Sequence, residues 1–226
     1  MSALLNPLRR FGVVFSDPAL LDRALTHRSA GQANYERLEF LGDALVNSIV
    51  SIELYRRYPR AAEGDLTRLR SALIRESSLA DIARGIDLSE HLRMGSGELK
   101  SGGFRRDSIL ADTLEALIAA VFIDAGWDRC RALVESLFVD AIESIDLGAL
   151  KDPKTRLQEL LQGRALPLPA YTLVDSTGKD HDKVFTVSCT VPELEISAAA
   201  DGRSRKAAEQ IAAAAVLERL ERGAGS

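Results

Sequence analysis

The stretch Glu36-Arg37-Leu38-Glu39-Phe40-Leu41-Gly42-Asp43 decides the fold of the first half of this chain. Its three acidic residues are three and four positions apart, so on a helix at ~100° per residue they fall within roughly 60° of one another. The apolar residues on the opposite side of the helix are Leu38, Leu41, Leu45, Ile49 and Ile52. This pattern predicts a helix that begins near Asn34 and runs toward Tyr58.

The acidic side of this helix also carries large apolar residues. Glutamates on a helix usually form a solvated stripe, and that is the ordinary interpretation. Here Phe40, Val50 and Leu54 lie on or near the acidic side, so the helix is apolar nearly all round. We therefore expect the acids to lie in a crowded, partly buried place.

A second predicted helix carries two further acids. It is expected to begin at a cap formed by Asp107 or Ser108, and it places Asp112 and Glu115 three residues apart on one face. The residues on its core-facing side are Leu110, Leu114, Leu117, Ile118 and Val121.

Small residues beside these acids would let the two helices approach each other closely. Ala116 and Ala119 are in that position on the second helix. The carboxylates expected to converge are those of Glu39, Asp43, Asp112 and Glu115. Four carboxylates in one pocket repel one another, which raises their pKa values and costs stability unless a cation neutralises them.

A site made only of carboxylate oxygens favours a hard cation, Mg²⁺ with Mn²⁺ as its substitute, over zinc. Such ions support phosphodiester hydrolysis. Two other patterns point elsewhere but are weaker. His181-Asp182 is similar to the pair of a metal phosphohydrolase but has no further histidine ligands nearby, and Gly95–Gly103 lacks the ending of a P-loop. No nucleotide cofactor is expected.

Composition sets limits on the class of protein. The chain has 226 residues, 46% of them hydrophobic, and its net charge of −4 argues mildly against a nucleic-acid partner. The apolar runs end well short of the ~20 residues that a membrane span needs. Residues 1–10 lack the features of a secretory signal, so a cytoplasmic location is expected. Cys130 and Cys189 are expected to be reduced and buried.

The periodicity changes in the last third of the chain. Gly148 and the pair Asp152-Pro153 place a domain boundary near residues 147–152, with Asp152 as the cap of a new helix and Pro153 at its first position. Alternation of apolar and polar residues then indicates strands. The predicted order is a helix to about Gln162, strands over Tyr171–Val174, Val184–Val191 and Leu194–Ala198, and a helix over Arg203–Leu220.

Four segments of the chain together resemble bacterial ribonuclease III. They are residues 36–43, the preceding Leu25-Thr26-His27-Arg28-Ser29, and the later Glu63-Gly64 and Leu110-Ala111-Asp112-Thr113-Leu114-Glu115-Ala116. The resemblance implies an all-α catalytic and dimerisation domain over residues 1–148. A small α+β double-stranded-RNA-binding domain of the α-β-β-β-α type would then cover residues 149–226.

The resemblance also assigns roles within the first domain. Carried over by position, the metal-binding catalytic acids are Glu39, Asp43, Asp112 and Glu115. Glu36 and Glu63 match acids at the edge of the site and are expected to support it. Phe40 matches a residue that inserts into the partner subunit of a homodimer, and the alternative is that Phe40 fills the core of its own domain.

In the second domain the resemblance implies three contacts with an RNA duplex. Duplex RNA is recognised mainly by its shape, through 2′-hydroxyls and phosphates over ~16 base pairs. The matching residues are Thr155, Gln158, Glu159 and Gln162 on the first helix, His181 in a loop, and Arg203, Ser204, Arg205 and Lys206 at the start of the last helix.

The activity implied is metal-assisted attack of water on double-stranded RNA, with staggered cuts that leave 5′-phosphate and 3′-hydroxyl ends, in the processing of rRNA and mRNA. Two alternatives remain open: a protein that binds duplex RNA without cutting it, and a ribosome-associated structural relative of the nuclease. The presence of all four acids argues against both, since a pure binder has no use for mutually repelling carboxylates.

Overall fold

A computed structural model describes residues 6–146, 151–178 and 182–223 of the chain. The chain divides into two compact units, Met1–Ile145 and Asp146–Ser226. The domain boundary expected between residues 148 and 149 lies outside the described residues. Within the described part of the chain, no helix is long and apolar enough to cross a membrane.

The first unit is built from helices and short 3-10 turns. Its helices are α1 (Pro18–Ala24), α2 (Glu36–Arg57), α3 (Glu63–Ile74), α4 (Glu76–Gly85), α5 (Ser96–Lys100) and α6 (Asp107–Ser144). The helix predicted from Asn34 toward Tyr58 is confirmed as α2, with Tyr35 and Tyr58 as its caps. Gly126, at φ 78°, interrupts the helical geometry of α6.

The packing of α2 against α6 forms the centre of this unit. On α2, the predicted core residues Leu38, Leu45 and Ile49 are buried, whereas Leu41 and Ile52 are only half-buried. The predicted core side of α6 is confirmed, because all five of its residues, Leu110, Leu114, Leu117, Ile118 and Val121, are buried. These two apolar faces fix how the acidic residues of the two helices lie toward each other.

The expected cap of α6 is wrong. The helix begins at Asp107 itself, and Arg106 occupies the cap position without a side-chain hydrogen bond. The Asp107 carboxylate instead accepts a hydrogen bond from Arg84 of α4. The Asp107 side chain, which could have capped α6, is therefore bonded to Arg84 of α4 instead.

The second unit is a three-stranded antiparallel sheet with two helices, in the predicted α-β-β-β-α order. Its elements are α7 (Pro153–Gly163), β1 (Ala170–Thr177), β2 (Val184–Val191), β3 (Ile196–Gly202) and α8 (Arg205–Gly223). The Asp152 carboxylate accepts a hydrogen bond from the Thr155 amide, and Pro153 starts α7, so the predicted cap is confirmed. The core that joins sheet and helices includes Leu157, Cys189 and Val216.

Several boundaries in this unit differ from the sequence prediction. The first strand, predicted as Tyr171–Val174, spans Ala170–Thr177, and the third runs on to Gly202, beyond its predicted end at Ala198. The third strand begins at Ile196 and not at Leu194, because Pro192–Leu194 form a 3-10 turn and Glu195 adopts a left-handed conformation at φ 53°. The last helix begins at Arg205 and not at Arg203, because the Ser204 hydroxyl caps it by accepting a hydrogen bond from the Ala207 amide at 3.1 Å.

Candidate active site

The acidic site lies where α2 and α6 pass closest to each other. A Cβ placed on Gly42 of α2 would lie 2.0 Å from the carbonyl oxygen of Glu115 on α6. Only a residue without a side chain allows this approach. The sequence had suggested Ala116 and Ala119 as the small residues responsible, and both are buried, but the backbone-to-backbone contact is made at Gly42.

Three of the four expected carboxylates come together at this crossing. Ligand oxygens of Glu39, Asp112 and Glu115 lie within 4.8 Å of one another, and all three residues are half-buried. Asp43 stands beside this group and is more exposed. Its carboxylate accepts a hydrogen bond from the Asn47 side chain at 2.9 Å, which orients it from one turn further along α2.

Burial and nearby negative charges raise the pKa values of the three clustered acids, Glu39, Asp112 and Glu115. Burial is the main cause at Glu115, with the charges of Asp43, Asp112 and Glu39 adding to it, and together they raise the pKa of Glu115 to about 8. The pKa of Glu39 is raised by burial and by Asp112. The pKa of Asp112 is also raised, again chiefly by burial. The cluster therefore favours bound protons or a bound cation.

A hard divalent cation fits this set of ligands. The three clustered groups are carboxylates, whose oxygens are the donors that Mg²⁺ and Mn²⁺ prefer. Burial raises the pKa values of all three, and Arg28 offsets this only in part at Glu39 and Asp112. A cation would neutralise them, and Glu39, Asp112 and Glu115 are the residues that would hold it.

Sequence reasoning missed three residues that act on the acids. The buried Tyr35 interacts through its hydroxyl with Asp112, which lowers the pKa of that carboxyl and opposes the effect of burial. Glu76, at the start of α4, raises the pKa of Asp112 further. Arg28 lowers the pKa of both Glu39 and Asp112. These effects depend on contacts between distant segments, which spacing along one helix cannot reveal.

The segment around His27 is held by a chain of hydrogen bonds. His27 is buried, and its Nδ1 lies 2.7 Å from the Ser29 hydroxyl. The Ser29 hydroxyl accepts a hydrogen bond from the Gly95 amide at 2.9 Å. The His27 ring meets Tyr35 edge-on, with 5.6 Å between ring centroids. The motif Leu25–Ser29 thus supports the tyrosine that contacts Asp112.

The two edge acids lie in different places. Glu36 shares a polar pocket of about 400 Å³ with Glu39 and Asp112, and it forms an ion pair with Arg28 at 3.6 Å. Glu63 begins α3, where its carboxylate accepts a hydrogen bond from the Thr67 hydroxyl at 2.8 Å. Glu63 lines a separate pocket, so its supporting role stays a prediction.

Phe40 does not fill the core of its own unit. Its side chain is 82% exposed, although it lies on α2 next to the buried Leu38 and the half-buried Glu39. The alternative in which Phe40 is a core residue is therefore wrong.

The pocket that Glu63 lines, of about 390 Å³, is formed largely by apolar atoms of α2 and α3, among them Ile52, Leu54 and Leu66.

The expected RNA-binding residues of the second unit lie mostly at its surface. On α7, Gln158, Glu159 and Gln162 are exposed, and Thr155 is half-buried and donates its hydroxyl to Asp152 at 2.8 Å. The residues of the basic segment, Arg203, Ser204, Arg205 and Lys206, are all exposed. His181 lies outside the described residues.

Comparison with known proteins gives consistent results for both units. A family model described as ribonuclease-III-like matches residues 17–142, and one described as a double-stranded RNA binding motif matches residues 153–220. A protein named ribonuclease 3 from Methylococcus capsulatus is 55% identical over 94% of this chain and 93% of its own length. A ribonuclease 3 from Bordetella avium is 53% identical over 92% of this chain and 84% of its own.

Solved structures agree for the first unit. A nuclease domain of ribonuclease III from Campylobacter jejuni, described as flexible in a region involved in dimer formation, is 37% identical to this chain with a TM-score of 0.59. The match covers 61% of this chain and 97% of that domain.

Proposed function

The chain belongs to the ribonuclease III family and is a double-stranded-RNA-specific endoribonuclease, and we propose that Glu39, Asp43, Asp112 and Glu115 carry its reaction with a divalent cation. The observation that carries this assignment is the convergence of three of these carboxylates within 4.8 Å at the crossing of α2 and α6. The cation is Mg²⁺, with Mn²⁺ as a substitute, because the ligands are carboxylate oxygens.

The four acids divide the work. Glu39, Asp112 and Glu115 would bind the cation, and the more exposed Asp43, oriented by Asn47, would add its negative charge beside them. When bound, such an ion lowers the pKa of an attacking water and stabilises charge on the leaving oxygen. The new bond forms between water oxygen and phosphorus while the bond from phosphorus to the 3′-oxygen breaks. The products are 5′-phosphate and 3′-hydroxyl ends.

We further propose that the working form is a homodimer. One cluster cuts one strand, so a duplex needs two clusters, and a two-fold axis between subunits supplies them in the symmetric arrangement that gives staggered cuts. Two features support this, the exposed Phe40 and the apolar pocket between α2 and α3. The pocket of one subunit could receive the Phe40 ring of the other across the axis. Glu63, which lines that pocket, would then stand near the partner's site.

The second unit would hold the RNA while the first cuts it. Exposed polar residues on α7 and the basic start of α8 are chemically suited to 2′-hydroxyls and phosphates. Thr155, Gln158, Glu159, Gln162 and His181 would lie in the minor groove, and Arg203, Ser204, Arg205 and Lys206 on the phosphates. In the cell the expected role is the processing of rRNA and mRNA in the cytoplasm.

The direct experiment mixes the purified protein with a long RNA duplex, with Mg²⁺ or with a chelator, and resolves the products on a denaturing gel. We expect cleavage that needs Mg²⁺ and produces fragments with 5′-phosphate ends. A duplex that stays intact with Mg²⁺ but shifts on a native gel would favour the non-cleaving RNA-binding protein. Co-sedimentation of an inactive protein with ribosomes would favour the structural relative.

A further inference from the structure

The N-terminal ends of α7 and α8 are joined through one carboxylate. Glu209, on the first turns of α8, contacts Lys154 of α7 at 2.6 Å through one oxygen and Arg205 of its own helix at 3.0 Å through the other. Its side chain is only 14% exposed, whereas that of Arg205 is 61% exposed. The carboxylate is therefore enclosed by its two cations, while one of them remains open to solvent.

The next residue completes the connection. The Gln210 side chain accepts a hydrogen bond from the Lys154 amide at 3.1 Å and donates one to the Asp152 carboxylate at 2.8 Å. Asp152 in turn holds the amide and the hydroxyl of Thr155. A continuous set of polar contacts thus runs from the first turn of α7 to the first turn of α8.

These same two helix ends carry candidate RNA contacts, Thr155 on α7 and Arg205 on α8. A duplex presents its grooves and phosphates at fixed separations, and proteins recognise that shape and not a base sequence. Both contact regions can be occupied together only if the two helix ends keep the matching separation. A connection between the ends is therefore a way to set that separation before RNA arrives.

We propose that Glu209 is a positioning residue for duplex RNA recognition, holding Lys154 and Arg205 so that the RNA-facing ends of α7 and α8 keep one relative placement. The inference rests on the proposed RNA-binding role of the second unit and adds to it a residue that need not touch RNA.

Charge alone would argue against an acid at this position. A carboxylate next to Arg205 and Lys206 weakens the attraction of the basic segment for phosphates, and each phosphate contact contributes to affinity. Lys154 and Arg205 lower the pKa of Glu209, so it carries its full charge at neutral pH. Glu209 should therefore lower the affinity for RNA, unless its placement of the two helix ends raises the affinity by more than its charge lowers it.

Removing the charge of Glu209 therefore distinguishes two roles. RNA affinity should fall if Glu209 positions the helix ends, and rise if its only effect is to repel phosphates. Glu209→Gln keeps the size of the side chain and removes its charge, and binding of the full chain to a fluorescent duplex of about 20 base pairs is measured by anisotropy without divalent metal. We expect affinity to fall about fivefold to tenfold. The control is Glu218→Gln, which removes an acid that is 65% exposed on the same helix, and its affinity should be equal or slightly higher.

A second variant isolates reach from charge. Glu209→Asp keeps the charge but is one methylene shorter, so it cannot hold both cations as Glu209 does. Positioning predicts that Glu209→Asp binds as weakly as Glu209→Gln, whereas an effect of charge predicts wild-type binding. Thermal unfolding of each variant is followed in parallel, and the melting temperature of both should stay within a few degrees of wild type.

Several results would overturn the inference. These are a Glu209→Gln variant that binds as well as or better than wild type, a Glu209→Asp variant that binds normally, and loss of binding only because the second unit has unfolded. Lys206→Ala tests the proposed function separately. If wild type binds duplex and Lys206→Ala weakens it while the Glu209 variants bind normally, the RNA-binding role stands and only the positioning role fails.

Discussion

Gly42 and Glu115 touch backbone to backbone: a Cβ on the glycine would lie 2.0 Å from the glutamate's carbonyl oxygen. This contact sets the distance between α2 and α6. Glu39 is one turn before Gly42, and Glu115 and Asp112 are on the facing helix, so the contact also sets the spacing of the three clustered carboxylates.

Gly42→Ala should separate the two helices. The added methyl group cannot fit without moving a backbone, and overpacking of this kind costs typically 1–3 kcal/mol or more. We expect a loss of about 2 kcal/mol or more in the free energy of unfolding, measured in denaturant, together with a drop in cleavage. Gly85→Ala, at the end of α4 with open space around it, is the matched control. It should leave cleavage unchanged and keep or slightly raise the free energy of unfolding.

The pH dependence of the metal-free protein should carry the signature of Glu115. Its pKa is raised from 4.5 to about 8 in the folded protein, chiefly by burial. Between these values the folded state keeps a proton that the unfolded chain has released, so the free energy of unfolding falls as pH rises from about 4.5 to about 8.

The difference between wild type and Glu115→Gln isolates this effect from other titrating groups. In chelator, the variant should gain stability over wild type as pH rises through that window, as followed by melting temperature. Because a cation competes with the proton, Mg²⁺ affinity of wild type should rise over the same range and level off above about pH 8. A wild type that gains stability relative to the variant at higher pH would contradict the assignment.

Tyr35 should matter for metal affinity more than for folding. Its hydroxyl interacts with Asp112, and outer partners of metal ligands typically change affinity by 10–100-fold when removed. We expect Tyr35→Phe to bind Mn²⁺ roughly tenfold more weakly in a direct titration without RNA, and to cut normally once Mg²⁺ is saturating. Tyr58→Phe makes the same change at the other end of α2 and should leave affinity unchanged. Equal affinities in the two variants would exclude this role.

Removing the Phe40 side chain should weaken self-association. The ring is 82% exposed, and burying such a ring in a partner would contribute about 2 kcal/mol. Phe40→Ala should therefore dissociate at higher protein concentration than wild type in sedimentation experiments, and its cleavage should recover as concentration rises. Val14→Ala removes a side chain that is 79% exposed and serves as the control. A Phe40→Ala protein that remains as tightly dimeric as wild type would remove this residue from the interface.

Much of the site could be predicted because helical periodicity places residues on faces. The spacing within residues 36–43 and between Asp112 and Glu115 was sufficient to put the acids on two helices, and the structure brings three of them together. The cap at Asp152 and the full extent of β2 followed from local sequence patterns in the same way.

The rest depends on contacts that no local pattern encodes. Tyr35, Glu76 and Arg28 are all distant from Asp112 in the sequence, and only the folded chain shows that they act on it. Gly42 did leave a signal, because glycine inside an apolar helix is costly and usually marks a close approach. Ala116 and Ala119 point more obviously to close packing, because alanine is a commoner small residue than glycine inside helices.

The most direct test of the central claim is cleavage and RNA binding by Glu115→Gln, with Glu143→Gln, a mostly exposed acid on the same helix, as the control. If Glu115 holds the cation that powers strand scission, the variant should lose cutting in saturating Mg²⁺ by several orders of magnitude while binding duplex RNA without metal as wild type does. A variant that cuts at a rate near wild type, or one that loses cutting and metal-free binding together, would contradict it.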